Sequence, residues 1–166
     1  MNTLAKILFP FVLLSMVSCS TMQHNIRKNN NFTDKTVSFL FHKNGNVFFI
    51  KPPYATFSII WTYSKNKIEI FKLAKGKISE RTEYSNDGIV DYQIPAFKEL
   101  GLNIRECPYV LDGDILGYKI KKIEGLEEQR LPIDIECFIN NKYQSEFLNK
   151  IVSDIIAYKM WDIQYQ

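Results

Sequence analysis

Hydrophobic and polar residues change their spacing several times along this chain, and each change marks a boundary. Ile7 to Val17 carries no charge and is broken only by Pro10 and Ser15. Its eleven residues would span about 16 Å as a helix, half a bilayer core. That is too short for a transmembrane helix and fits the apolar stretch of a secretory signal peptide behind the positive Lys6. Residues 20–35 are polar and aperiodic, with isolated Ile26 and Phe32. They read as a flexible tether whose ends would lie about 20–24 Å apart.

From Val37 onward the pattern is that of strands. Val37 to Phe41 and Val47 to Ile50 flank Asn44-Gly45, a hairpin signal because both central residues of a type I′ turn need positive φ. Pro52-Pro53 ends the second run. Thr56 to Tyr63 alternates, with Phe57, Ile59, Trp61 and Tyr63 on one face and Ser58, Ile60 and Thr62 on the other. A turn at Lys65-Asn66 leads to Ile68–Leu73, and Lys75-Gly76 turns the chain into Ile78–Tyr84. A loop at Ser85–Gly88 precedes a short strand, Ile89–Ile94, and Pro95 and Gly101 bracket one or two helical turns over Ala96–Leu100. Leu102–Tyr109 and Ile115–Ile123 flank a turn at Asp112-Gly113, and Ile133, Ile135, Cys137 and Ile139 alternate with Asp134 and Glu136 as a half-buried strand. At the end, Asn141 and Gln144 have capping-box spacing. Phe147, Leu148, Ile151, Val152, Ile155 and Ile156 then recur at helical spacing, with Glu146, Asn149, Lys150, Ser153 and Asp154 opposite. The pattern predicts an α+β fold: an antiparallel meander of six to eight strands packed against one long C-terminal helix of about 18 residues. A β-sandwich or barrel with a terminal helix is the alternative.

Composition narrows the class. A chain of 166 residues with 46% hydrophobic and 23% charged positions is one globular domain rather than a disordered or low-complexity chain. A net charge of +3 is too small to indicate a nucleic-acid binder. Two histidines in all argue against histidine-based metal or triad chemistry. No G-x-S-x-G, S-x-x-K or P-loop motif is present, and no cofactor or metal is expected.

The residues after the apolar run point to a compartment. Val17-Ser18-Cys19 resembles the lipobox of bacterial lipoproteins, with Met16 where Leu is commonest. The resemblance covers residues 1 to about 20. It implies cleavage before Cys19 and acylation of its thiol, which makes residues 1–18 a signal peptide, 19–35 an acylated tether and 36–166 a single domain. Two or more acyl chains anchor a protein stably where one does not. Ser20 in place of an Asp after the cysteine implies passage to the outer membrane, facing the periplasm; the inner membrane and the cell surface are the other destinations. With Cys19 lipidated, Cys107 and Cys137 remain. An even remainder in an exported protein suggests a disulfide, which would contribute about 3.7 kcal/mol in the chain-entropy model. Two buried free thiols are the alternative.

Candidate chemistry is sparse. Asp112-Gly113-Asp114 has calcium-ligand spacing, but the residues after it supply no carboxylate. Glu124, Glu127, Glu128, Asp134 and Glu136 form an acidic stretch from which a hydrolytic carboxylate pair could be drawn. His42 reads as a solvated residue beside a turn. The densest feature is the basic run Lys65, Lys67, Lys72, Lys75, Lys77 and Arg81, diluted by Glu69, Glu80 and Glu83. It reads either as lysines guarding sheet edges or as a contact with anionic headgroups or an acidic partner. Phe48, Phe49, Tyr54, Phe57, Trp61 and Tyr63 read as core, with any exposed subset a partner site. Two classes of function follow. One is a lipid-anchored envelope module that binds or assembles without an active site, such as an inhibitor or immunity protein, its partners the membrane and an envelope protein. The other is a small envelope hydrolase.

Overall fold

A computed structural model of the chain describes residues 3–64, 66–85, 113–122 and 125–157, with backbone alone for 3–20, 122 and 127. Helix α1 covers Thr3–Asn44 and is followed by strands β1 (Asn46–Lys51), β2 (Phe57–Tyr63), β3 (Lys67–Ala74) and β4 (Lys77–Ser85). After these come β5 (Asp114–Lys122), β6 (Gly125–Ile133), and two helices, α2 (Ile135–Asn140) and α3 (Glu146–Ala157). The six described strands form one sheet in the order β4-β3-β2-β1-β5-β6, and every pairing is antiparallel.

Strand alternation decides which layer each residue joins. Phe57, Ile59, Trp61 and Tyr63 lie on one face with Phe48, Ile68 and Ile70, covered by Phe138 of α2 and Phe147, Leu148, Ile151 and Ile155 of α3. Ile60, Val47, Phe49, Phe71 and Leu73 lie on the other, covered by Val37 and Leu40 of α1. The sheet is therefore buried on both sides along β2, all seven residues of which are buried. Edge strand β4 is the opposite case, exposed along most of its length. The antiparallel sheet, the face assignment of β2 and the Lys75-Gly76 turn match the sequence pattern. Lys75 and Gly76 take φ of 52° and 75°, the pair of positive values that a type I′ hairpin requires.

Several expectations are corrected. The long helix is N-terminal, and the segment expected as a tether is part of it. Asn29, Thr33 and Thr36 are buried against the sheet. Their spacing continues through Val37 and Leu40 as one helical face, so Val37–Phe41 is helix rather than strand. Asn44-Gly45 consequently ends a helix instead of turning a hairpin. Gly45 has φ 83°, and its N–H donates to the Phe41 carbonyl at 2.7 Å, an αL C-cap. Positive φ is the shared requirement of both motifs, and the dipeptide does not distinguish them.

At the other end, Ile135–Asn140 is helical and not a strand. Asp134 caps it, its carboxylate accepting from the Cys137 N–H at 3.1 Å, and the buried pair Ile135 and Phe138 is spaced for a helix. The C-terminal helix is consequently shorter than expected. Ser145, not Asn141, stands at its head, with Leu148 N–H donating to Ser145 Oγ at 3.3 Å. Strand β6 carries Glu127 and Glu128 of the acidic stretch, on a sheet edge where charge is well tolerated. The strands expected at 89–94 and 102–109 and the helical turns at 96–100 lie outside the described residues.

Candidate functional site

Helix α1 packs against β1, β2 and β3. In its last third Thr33 Oγ1 lies 2.6 Å from Ser58 Oγ at the start of β2. One turn earlier the Gly76 N–H donates to Asn29 Oδ1 at 3.3 Å. One residue after Thr33, Asp34 accepts from Lys51 Nζ at 3.2 Å and from Arg130 Nη1 at 3.2 Å, tying α1 to β1 and β6. Arg130 also lies over the Phe49 ring, 5.5 Å from its centroid. That ring covers Gly117, where a Cβ would stand 2.2 Å from Phe49 Cζ. A glycine inside a strand is what allows the ring to approach so closely.

At the C-terminal end of α1 an open cleft of about 700 Å³ lies between the helix end and the start of β6, lined by Phe41, His42, Lys43, Lys121, Gly125 and Leu126. Leu126 is exposed, and Lys119 Nζ sits 5.1 Å from the Phe41 ring centroid. His42 donates through Nδ1 to the Ser38 carbonyl at 2.7 Å. The cleft is thus basic and partly apolar. Its chemistry suits a contact with an acidic or amphipathic surface, and His42 forms part of its wall.

The basic run separates into two groups. Lys67 bridges Glu69 and Glu83, each at 3.4 Å. Arg81 pairs with the same two acids and lies over Phe71 at 5.6 Å. Burial raises the pKa of Glu69, but hydrogen bonds from Arg81 and Lys67, with their charges, outweigh it and hold the carboxyl below its usual 4.5. These basic residues serve the β3–β4 pairing. Lys72 opposes Glu80 across the same ladder. Lys75 and Lys77 stand apart, exposed at the β3–β4 turn. Lys65 lies outside the described residues.

Among the described residues the acidic stretch does not converge on a pair. Glu128 binds Lys119 at 3.2 Å and Arg130 at 3.4 Å, Asp134 caps α2, and Glu136 is exposed. Glu124 and the Glu127 side chain lie outside the described residues. Asp114 is a buried residue of β5, not the arm of an open ligand loop, and Asp112 lies outside the described residues. Among the described residues no group of three or more His, Cys, Asp or Glu could hold a metal ion. Of the aromatic set, Phe48, Phe49, Phe57, Trp61 and Tyr63 are core, and Tyr54 is exposed. Cys137 is disulfide-bonded. Cys107 and the Cys19 side chain both lie outside the described residues, so the bond to Cys107 stays an expectation.

The placement of Asp154 on the polar face of the C-terminal helix is corrected. Asp154 of α3 is buried and accepts from the Trp61 indole at 3.1 Å and the Tyr84 hydroxyl at 2.9 Å, and it pairs with Lys150. It stands three residues after Ile151 and beside Ile155, on the buried stripe by spacing although polar by type. Arg27 and Lys28 were missed for a different reason. They sit in the stretch read as tether, and the helical spacing of Asn29, Thr33 and Thr36 was the signal that could have placed them.

Among the described residues no helix is long and apolar enough to cross a membrane. Comparison of the chain with protein-family models, curated proteins and solved structures found no match.

Proposed function

We propose that this chain is a lipid-anchored lipoprotein of the bacterial cell envelope that works as a binding or assembly module, without an active site. The observation that carries the proposal is the run Val17-Ser18-Cys19, on the same helix that packs on the sheet from Asn29 onward. Acylation at Cys19 would hold the domain by a helix rather than by a loose coil. Ser20 favours the outer membrane, facing the periplasm. The cleft at the far end of α1 is where an envelope protein partner would seat. Its exposed Leu126 and flanking Lys43 and Lys121 give the apolar centre and charged rim usual at such contacts. Binding is favoured over hydrolysis because Asp34, Glu69, Glu128 and Asp154 are each engaged by cations.

The test is fractionation with labelled palmitate in a bacterial host. The native chain should incorporate label and sediment with membranes, and Cys19→Ser should do neither. Unchanged membrane association of Cys19→Ser would overturn the proposal.

A further inference from the structure

The two basic residues of the β3–β4 turn do not stand alone. Lys28 of α1 lies against that turn, so that a Cβ on Gly76 would meet Lys28 Cγ at 2.9 Å. The Gly76 N–H donates to the next residue, Asn29. Lys28 is thereby held beside Lys75 and Lys77, with Arg27 adjacent on the helix, and all four are exposed. Lys67, Arg81, Lys119, Arg130 and Lys150 are engaged with carboxylates. The nearest acid along β4, Glu80, faces Lys72. Four cations from two elements therefore share one corner of the domain.

That corner is the end from which α1 runs back toward Cys19. The nine residues from Cys19 to Lys28 are helical and rise about 14 Å. A helix, unlike a coil, decides which part of the domain is nearest its anchor.

We propose that Arg27, Lys28, Lys75 and Lys77 form a docking face for the anionic phospholipid headgroups of the membrane in which the chain is anchored. The inference rests on the acylation of Cys19 for its geometry and on charge complementarity for its chemistry. Each basic residue near an anionic surface strengthens attachment by about fivefold, and the attraction decays within a Debye length. The face would turn the cleft at the other end of α1 away from the lipid.

The experiment uses the full processed protein purified from membranes and reconstituted in vesicles of phosphatidylcholine, with or without phosphatidylglycerol. A membrane-impermeant amine reagent labels its lysines, read by mass spectrometry. Lys28, Lys75 and Lys77 should be labelled several-fold less in the anionic vesicles. Molar salt should abolish the difference, and Lys142, in the loop between α2 and α3, should be labelled equally in both. Equal labelling of the three lysines in the two vesicle types would overturn the face, as would protection found in native membranes but not in pure anionic lipid. The mass of the peptide beginning at Cys19 reports acylation separately. If it carries no lipid, co-flotation of the same protein with the anionic vesicles decides. Salt-sensitive flotation weakened at least tenfold by Lys75→Glu with Lys77→Glu supports the face, and absence of flotation overturns it.

Discussion

Asp154 is buried although the sequence pattern puts it on the polar face of its helix, and three partners hold it there. Asp154→Ala would leave the buried Trp61 N–H without its acceptor, a loss of about 1–3 kcal/mol. Asp154→Asn, which keeps an acceptor oxygen, should lose less. Urea denaturation of the two variants measures the difference. Gly117 is held to its identity by the Phe49 ring above it. Gly117→Ala forces that ring and the Arg130 stacked on it to move, and overpacking of this kind costs about 1–3 kcal/mol. Glu69 contributes a pH dependence. Its carboxyl is held below 4.5 by Arg81 and Lys67 against the effect of burial. A depressed folded-state value means the contribution is present above the unfolded value and disappears as pH falls through the folded one. Native protein should therefore lose stability relative to Glu69→Gln as the pH drops below about 4.5, and thermal melts across pH 3–7 would show the two curves converging.

At the scale of elements, α3 makes the clearest demand. Ile151 is buried among the apolar residues facing Trp61 and Tyr63, while Ser153 is exposed. Ile151→Ala should cost about 2–5 kcal/mol and Ser153→Ala less than about 0.5 kcal/mol, by thermal denaturation. Gly45→Ala places a side chain at φ 83° and should cost about 1–2 kcal/mol by the same measurement. The sequence was legible wherever one residue type served one purpose. The alternation of β2 separated its two faces correctly, and Lys75-Gly76 marked its hairpin. It was ambiguous where two structures share a requirement. Asn44-Gly45 supplies positive φ to a helix cap as readily as to a hairpin. Ile133 to Ile139 alternates like a strand, yet the cap at Asp134 makes its second part helical. The buried face of α1 begins with polar residues, Asn29, Thr33 and Thr36, of which Thr33 meets Ser58. A search for apolar periodicity passes over a face of that kind. The basic corner was half visible, because its β-turn lysines lie in a dense run and its helix residues lie in a stretch that reads as coil.

The molecule as a whole is organised along α1. The helix carries Cys19, covers one face of the sheet, is bolted to it through Asp34 with Lys51 and Arg130, and ends at the open cleft. Removing that bolt with Asp34→Ala should loosen α1 without unfolding the opposite layer, which packs on α2 and α3. Amide hydrogen exchange should then rise selectively in residues 28–44. The sheet and its C-terminal helices form a body, α1 is its mount, and Cys19 is the proposed point of attachment. The most direct test of that claim is the intact mass of the protein extracted from membranes. A chain beginning at Cys19 and carrying the added mass of a diacylglyceryl group is the predicted result. A chain that retains residues 1–18, or one whose Cys19 carries no lipid, would contradict it.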